Sequence, residues 1–266
     1  MIETYRQLKA RNQFIPTWIG LFVNPYYIAR RGLYRSIAEL AKELSGDSLL
    51  DLGCGSKPYR ELFTHSIYTG LELDTEQNRA AGHAELFYDG HSFPFKAAEY
   101  DNVLCNQVLE HVFNPEEFLA EIFRVLKPGG QLLLTVPFVW DEHEQPFDYA
   151  RYSSFGLQHL LKGAGFEVKA IKKSNPDLST IFQLLNAYLY KVSQTWPSIL
   201  RELFTVTFMA LITLLGMVSK LLPDNSDLFL DLIVLAEKPD RTATDAAAID
   251  TAIDTAIDTA IDTRME

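Results

Sequence analysis

A short apolar run that ends in a pair of glycines is the feature that most constrains the fold of this chain. Residues 48–52 predict a buried strand, and Gly53-Cys54-Gly55 follows it at once. Two glycines at the end of a strand make a tight turn that lets the backbone approach a ligand closely. The strand carries Asp51, and position 58 is proline where a dinucleotide-binding loop would place a third glycine. Because a carboxylate repels a pyrophosphate and attracts a cationic amino-acid ligand, this loop disfavours a nicotinamide dehydrogenase.

Strands and helices alternate along most of the chain. Further strands are predicted at 67–73, 85–88, 102–105, 131–136 and 166–171, and helices at 28–45, 115–126 and 157–162. This alternation is typical of a parallel sheet with helices on both faces. We therefore expect an α/β fold: a doubly wound, mostly parallel, Rossmann-like sheet whose last strand lies at 228–236.

A helical insert interrupts the alternation before that last strand. Residues 203–219 are 17 positions without a charged side chain, slightly fewer than the roughly 20 that a spanning helix needs. Two interpretations stay open: a helix that is buried or packs as a lid, and a helix that binds a membrane surface or a hydrophobic substrate. The predicted organisation is an N-terminal helical segment at 1–45, a main domain at 46–238 with the insert at 174–225, and a disordered repeat tail at 239–266.

Composition and charge limit the partners. The chain has 266 residues and a formal net charge of −11, part of which lies in Ala-Ile-Asp-Thr repeats that begin at residue 248. An acidic chain is a poor partner for nucleic-acid phosphates, so we expect no nucleic-acid binding. Cys54 and Cys105 predict free thiols in a reducing compartment. We expect a cytoplasmic protein without a metal site, with peripheral membrane contact through 199–222 left open.

Acidic residues also stand at the ends of the next two strands. Glu72 comes 21 residues after Asp51, about the offset at which a carboxylate binds ribose hydroxyls in dinucleotide-binding folds. Tyr88-Asp89-Gly90 ends the third strand, where an adenine amino group would need an acceptor.

In combination, these motifs resemble the class I S-adenosylmethionine-dependent methyltransferases, the large group that includes the ubiquinone and menaquinone methyltransferases. The resemblance is carried between about residues 46 and 173 by LLDLGCGSKP, GLELD, YDG, AEYDNVLCNQVLEHV and FRVLKPGGQLLLTVP. It implies S-adenosyl-L-methionine as the cofactor and methyl transfer as the reaction. It also implies the following cofactor-binding residues: Asp51, Gly53, Cys54, Gly55, Glu72, Leu73, Asp89, Gly90, Asn106 and Gln107.

The segment 137–152, after the fifth strand, is rich in polar and aromatic side chains. It resembles, more loosely, a motif in bacterial methyltransferases of sugar, glycolipid and cell-envelope pathways. His143 is the expected catalytic base, because the pKa of histidine is near 6.5; the alternative is a structural histidine held by Glu144 or Asp148. The residues expected to bind the acceptor are Trp140, Arg151 and Tyr152.

Alternatives accompany these assignments. Arg151 could instead pair with Asp148, and Glu110-His111 is expected to serve capping or core hydrogen bonding. The predicted function is methyl transfer to a small-molecule or lipid-linked acceptor that is partly hydrophobic: a lipid-linked sugar, a glycolipid or a quinone-like molecule. The apolar insert and the aromatic side chains of residues 18–27 favour such an acceptor. A non-catalytic scaffold or regulator that binds S-adenosylmethionine is the alternative from another class.

Overall fold

The sheet is the centre of the computed structural model, which describes residues 2–63 and 67–240. Within this part of the chain, seven strands pair in the order β3-β2-β1-β4-β5-β7-β6. They are β1 Ser48–Leu52, β2 Ile67–Leu73, β3 Leu86–Tyr88, β4 Tyr100–Asn106, β5 Leu126–Pro137, β6 Glu167–Lys173 and β7 Asp231–Glu237. Only β7 runs antiparallel to its neighbours in this described sheet. The expected doubly wound, mostly parallel Rossmann-like sheet is confirmed.

Helices cover both faces of the sheet. In the same described ranges they are α1 Ile2–Arg11, α2 Gly20–Val23, α3 Tyr27–Leu40, α4 Glu76–Ala81, α5 Pro115–Val125, α6 Ser154–Gly163, α7 Ser179–Ser193, α8 Ser198–Phe204 and α9 Ala210–Ser219. A π-helical turn, Thr205–Met209, joins α8 to α9. The helix expected at 28–45 therefore ends earlier, and a 3-10 turn at Ala41–Glu43 follows it.

Each face of the sheet has its own apolar core. On one face, Leu33, Ile37 and Leu40 of α3 pack with buried side chains of β1, β4, β5 and β7. On the other face, the apolar sides of α5 and α6 are buried against the sheet. Burial of this apolar area drives the packing of the helices. Since α3 belongs to the same core as the strands, the predicted boundary at residue 46 does not separate two cores.

The insert before β7 folds as a helical layer outside α3. Helix α7 packs against α9, and both contact α3. Residues Ser198–Ser219 form one 22-residue helical run, whose most apolar 18-residue stretch has a mean hydropathy of 1.8 and is 39% buried. By length and composition it could cross a membrane. The expected tail at 239–266 lies outside the described residues from position 241 onward.

The order of the strands places a crevice at the carboxyl ends of β1 and β4. These two strands are neighbours, and the chain leaves them toward opposite edges of the sheet, which is where open α/β sheets bind ligands. The β5 register sets Thr135 beside Asn106 on one side and Pro137 beside Asp231 on the other. Because β7 is antiparallel, its first residue lies at the edge where the parallel strands end.

Candidate functional site

The glycine loop after β1 is shaped for close approach of the backbone. Gly53 has φ +62° and Gly55 has φ +49°, a conformation that L side chains rarely adopt. A Cβ on Gly53 would lie 2.5 Å from Val108 Cγ2, whereas a Cβ on Gly55 would meet nothing within 4 Å. Gly53 is thus needed for packing, and Gly55 leaves its backbone open toward the crevice.

Glu72, at the end of β2, reaches back to this loop. Its Oε1 accepts a hydrogen bond from the Gly55 N–H at 2.6 Å, and its Oε2 accepts one from Asn78 Nδ2 at 3.3 Å. The carboxylate lines a cavity of about 340 Å³ together with Leu73, Tyr88 and Gly90. We call this the β2–β3 cavity; its walls are mostly apolar, and Glu72 and Glu117 are the acidic residues among them.

Asp89 does not line the β2–β3 cavity, although its neighbour Gly90 does. Its Oδ1 accepts hydrogen bonds from the N–H groups of His91 and Ser92, and these bonds lower the pKa of the carboxyl. The side chain thus shapes the turn after β3, and the cavity wall there consists of Gly90 and His91. The adenine contact predicted for Asp89 stays a prediction.

A second cavity, of about 250 Å³, lies over the ends of β1 and β4. We call it the β1–β4 cavity, and it adjoins the β2–β3 cavity at Gly53 and His111, which line both. Its wall contains these predicted site residues: Asp51, Gly53, Cys54, Gly55, Asn106, Gln107, Trp140 and His143. The structure thus brings the glycine loop, the end of β4 and the loop after β5 around one space.

Asp51 is a buried carboxyl in the wall of the β1–β4 cavity. It accepts a hydrogen bond from the Tyr68 hydroxyl. Burial raises the pKa of Asp51 to about 7, and the nearby carboxylate of Glu72 acts in the same direction. A cationic group in the cavity would reverse part of this rise, because an opposite charge favours the ionised carboxyl.

Thr135 of β5, which sequence reasoning missed, holds the two amides at the end of β4. Its hydroxyl donates to Asn106 Oδ1 at 2.8 Å and accepts from Gln107 Nε2 at 3.2 Å. The backbone N–H of Gln107, in a left-handed conformation with φ +55°, also donates to Thr135. An apolar strand with a single hydroxyl near its carboxyl end was the signal that could have found this residue.

His143 is held by its own loop. Its Nδ1 lies 3.2 Å from the carbonyl oxygen of Asp141 and 3.4 Å from Asp148 Oδ2. The two nearer neighbours are acceptors, which favours a proton on Nδ1 and a lone pair on Nε2; Arg151 Nη2, a donor, lies 3.5 Å from the same Nδ1. Burial lowers the pKa of His143, which keeps the imidazole neutral at pH 7. The Asp148 contact predicted for a structural histidine is present, and the ring still lines the β1–β4 cavity.

Neither Arg151 nor Tyr152 lines either of the two cavities. The Arg151 guanidinium forms two hydrogen bonds with Asp148, at 2.5 and 2.7 Å, and a third with the Asp141 carbonyl at 2.9 Å. The hydrogen bonds from Arg151 lower the pKa of the Asp148 carboxyl. Tyr152 packs beside the apolar core instead. The geometry favours the alternative interpretation of Arg151, as a residue that braces the loop carrying His143.

Glu110 is fully buried beneath the same loop. Burial raises its pKa to about 8, so the carboxyl is protonated at pH 7. Its backbone carbonyl accepts from the N–H groups of Tyr149 and Ala150, which anchors the loop. Glu110, His111 and His143 each place one ligand atom within 4.8 Å of the others, a grouping that sequence spacing did not indicate.

Asp231, at the start of β7, is the acidic residue that sequence reasoning missed. It is buried, lines the β1–β4 cavity and accepts a hydrogen bond from Ser174 Oγ at 2.6 Å. Burial raises the pKa of Asp231 to about 6, while Arg30, in the same cavity wall, lowers it. The signal available in the sequence was an acid inside the apolar run 228–236.

The region that carries the sequence motifs matches a known protein family. Residues 26–171 match the family described as a methyltransferase domain. This is more than half of the chain. The chain belongs to this methyltransferase family. The resemblance to class I S-adenosylmethionine-dependent methyltransferases is thereby confirmed.

Curated relatives of this methyltransferase are distant. A probable S-adenosylmethionine-dependent methyltransferase of Mycolicibacterium smegmatis is 31% identical over 164 residues, 56% of this chain and 63% of the relative. A ubiquinone biosynthesis O-methyltransferase of Erwinia tasmaniensis is 27% identical over 120 residues, 37% of this chain and 46% of the relative. The chain thus covers less than two thirds of the length of either protein.

A solved structure gives the same fold. The phosphoethanolamine N-methyltransferase 2 of Haemonchus contortus, in complex with S-adenosyl-L-methionine, superposes with a TM-score of 0.52 at 17% identity. The superposition covers 88% of this chain and 57% of the other. At this identity the similarity shows the shared fold.

The residues of the methyltransferase site fit S-adenosylmethionine, the cofactor of its family. Gly55 leaves open space beside the loop, and Glu72 stands at the cavity where a ribose would need a hydrogen-bond acceptor. Leu73, Tyr88 and Phe118 give the β2–β3 cavity apolar walls for a flat base. Asp51 and the amides of Asn106 and Gln107 would hold the amino-acid end.

Proposed function

We propose that this protein transfers a methyl group to a partly hydrophobic small-molecule acceptor bound in the β1–β4 cavity. One observation carries the proposal: this cavity is walled on one side by the glycine loop and on the other by Trp140 and His143 of the loop after β5. A cofactor held by the loop and an acceptor held by Trp140 would therefore meet in one enclosed space. S-adenosylmethionine, when bound, supplies a methyl group on a positively charged sulfur.

The contribution of the chain to such a reaction is chiefly positioning. Thr135 fixes Asn106 and Gln107 in the cavity wall, and Asp148 and Arg151 fix the loop that carries His143. Holding two reactants in line replaces a costly encounter in solution. Asp51 and Asp231 place buried carboxyl groups around this space, and a cationic ligand there would favour their ionised forms.

His143 is proposed to take the proton that the acceptor loses as its oxygen, nitrogen or carbon gains the methyl group. The lone pair on Nε2 and the lowered pKa suit a base that works at neutral pH. The products would be the methylated acceptor, S-adenosylhomocysteine and a proton.

The nature of the acceptor is proposed from the apolar part of the cavity wall. Phe14, Leu33 and Trp140 line it beside Arg30 and Asp231. Outside the cavity, the Tyr26 ring contacts the rings of Trp140 and Tyr190, with centroids 5.7 and 5.5 Å apart. An amphipathic molecule, namely a lipid-linked sugar, a glycolipid or a quinone-like compound, would match this mixture of apolar and charged walls.

Mass spectrometry of a pool of such acceptors, incubated with the full chain and S-adenosylmethionine, tests the proposal. We expect one acceptor to gain one methyl group, and we expect His143→Gln to lower its rate about 10²- to 10⁴-fold. The matched control is His159→Gln, which changes an exposed histidine on α6. Binding of S-adenosylhomocysteine without methylation of any pool member would support a non-catalytic scaffold instead.

A further inference from the structure

The exposed surface of the helical insert carries large apolar side chains in stripes. On α7 they recur at helical spacing: Ile181, Leu185, Tyr188 and Val192. On α8, the π turn and α9 they are Ile199, Leu200, Leu203, Phe208, Leu211, Leu214, Leu215 and Val218. Residues three, four and seven apart lie on one side of a helix. We call these side chains together the apolar face; the run 203–219, which supplies most of those on the second stripe, has no charged residue.

Except for Ile212, the buried residues of α7 and α9 are small or polar. The buried residues of α7 are Ser179, Thr180, Gln183, Asn186, Ala187 and Ser193. Those of α9 are Ala210, Ile212, Thr213, Gly216 and Ser219. In a helix that faces water the distribution is normally the reverse, with apolar residues inside and polar residues outside.

Contacts between the helices show how these residues are used. Asn186 Nδ2 donates to Thr213 Oγ1 at 2.9 Å and to the Met209 carbonyl at 3.2 Å. A Cβ on Gly216 would lie 2.6 Å from Ile28 Cδ1 and 2.9 Å from Phe182 Cβ. Close approach at small residues, with polar side chains bonding across helices, is the way helices pack inside a bilayer. A second copy of the chain on the apolar face would not explain this arrangement.

From this arrangement we infer that the apolar face docks into one leaflet of a lipid bilayer. The opposite sides of α7 and α9 rest on α3, and α3 rests on the sheet. The face therefore has protein behind it and can enter the membrane only from one side, parallel to the surface. Trp18 is 73% exposed on the segment before α2, and Trp196 is 40% exposed between α7 and α8. Tryptophan favours the interface between headgroups and acyl chains.

The docked face would lie next to the β1–β4 cavity. Lys191, near the end of α7, pairs with Asp141 Oδ2 at 2.7 Å and donates to the Glu142 carbonyl at 2.9 Å. These residues belong to the loop that carries Trp140 and His143. Delivery of a membrane-dissolved acceptor along this route rests on the proposed function, whereas docking itself does not.

Flotation of the full chain with lipid vesicles, without cofactor or acceptor, tests the docking. The probes are neutral phosphatidylcholine vesicles and vesicles that also contain phosphatidylglycerol. We expect the protein to float with both and to stay bound in high salt, because burial of apolar area does not depend on charge screening. The double variant Leu211→Glu, Leu215→Glu should lower the bound fraction about tenfold or more, since a carboxylate is costly in the apolar layer.

Phe155→Glu is the matched control. Phe155 is 83% exposed on α6, on the opposite face of the sheet, and its change should leave flotation unaltered. If circular dichroism shows that the double variant fails to fold, Tyr188→Glu on α7 repeats the test. Three results would overturn the inference: no flotation of the parent protein, binding to anionic vesicles alone that salt abolishes, or a dimer in sedimentation that the glutamates dissociate. Each leaves methyl transfer in solution intact, so the two proposals can fail separately.

Discussion

Removing the carboxylate of Glu72 should weaken cofactor binding strongly. Glu72 presents two oxygens to the β2–β3 cavity, one at 2.6 Å from the Gly55 N–H and one at 3.3 Å from Asn78 Nδ2. A hydrogen bond to a charged group contributes about 1.5–3 kcal/mol. Because the side chain is partly exposed, we take about 1.5 kcal/mol for each hydrogen bond that Glu72 would accept from the two ribose hydroxyls. The loss in Glu72→Ala is then about 3 kcal/mol, which is about 100-fold in Kd.

Isothermal titration calorimetry with S-adenosylhomocysteine measures this change. Glu72→Gln keeps one acceptor oxygen without the charge and should fall between the parent and the alanine variant. Asp74→Ala is the matched control. Asp74 is the residue directly after β2, two positions beyond Glu72, and it pairs with Arg79. If Glu72→Ala binds within about twofold of the parent, as Asp74→Ala should, the ribose role of Glu72 is refuted.

Three further predictions concern the rest of the site. Thr135→Val should lower turnover about 10- to 100-fold by freeing Asn106 and Gln107, with Thr135→Ser restoring it, and unchanged kinetics in the valine variant would argue against positioning. The pKa of Glu110 is raised from 4.5 to about 8. Between these two pH values the folded state keeps a proton on Glu110 that the unfolded state has lost. The free energy of unfolding therefore falls as the pH rises through this range. Glu110→Gln should flatten this decline in Tm across the same pH range by scanning calorimetry, and superimposable profiles would mean that the carboxyl is already ionised. Because burial lowers the pKa of His143, the midpoint of the acid-side fall in kcat/KM should lie below pH 6.5, and a midpoint above that pH would exclude neutral His143 as the base.

Sequence reasoning reached several residues that line the two cavities because their signals are local. Asp51, Gly53, Gly55 and Glu72 each follow directly from a strand and the turn after it, and the alternation of elements brings parallel strand ends to one edge. The conformations of Gly53 and Gly55 bear out the need for glycine at both positions. The assignment of His143 as the base stays a prediction.

What sequence could not supply depends on contacts between distant segments. Asp231 lies in the site because β7 inserts antiparallel between β5 and β6, which an apolar run does not reveal. Asp89 stands at a strand end as expected, yet a local turn takes its carboxylate. The sequence left two roles open for Arg151, binding of the methyl acceptor and pairing with Asp148. Only the side-chain geometry shows that it pairs with Asp148. The membrane proposal for the insert likewise depends on the burial of Asn186 and Gly216. The spacing of apolar residues along the sequence does not reveal that these two residues are buried.

Calorimetric titration of the parent protein with S-adenosylhomocysteine and, separately, with NADH tests the central claim most directly. We expect binding of one S-adenosylhomocysteine per chain and no heat with NADH. This expectation rests on the glycine loop beside Asp51, the proline at position 58 and the hydrogen-bond acceptor Glu72. Binding of NADH without binding of S-adenosylhomocysteine would contradict the assignment of the cavity and the function proposed for it.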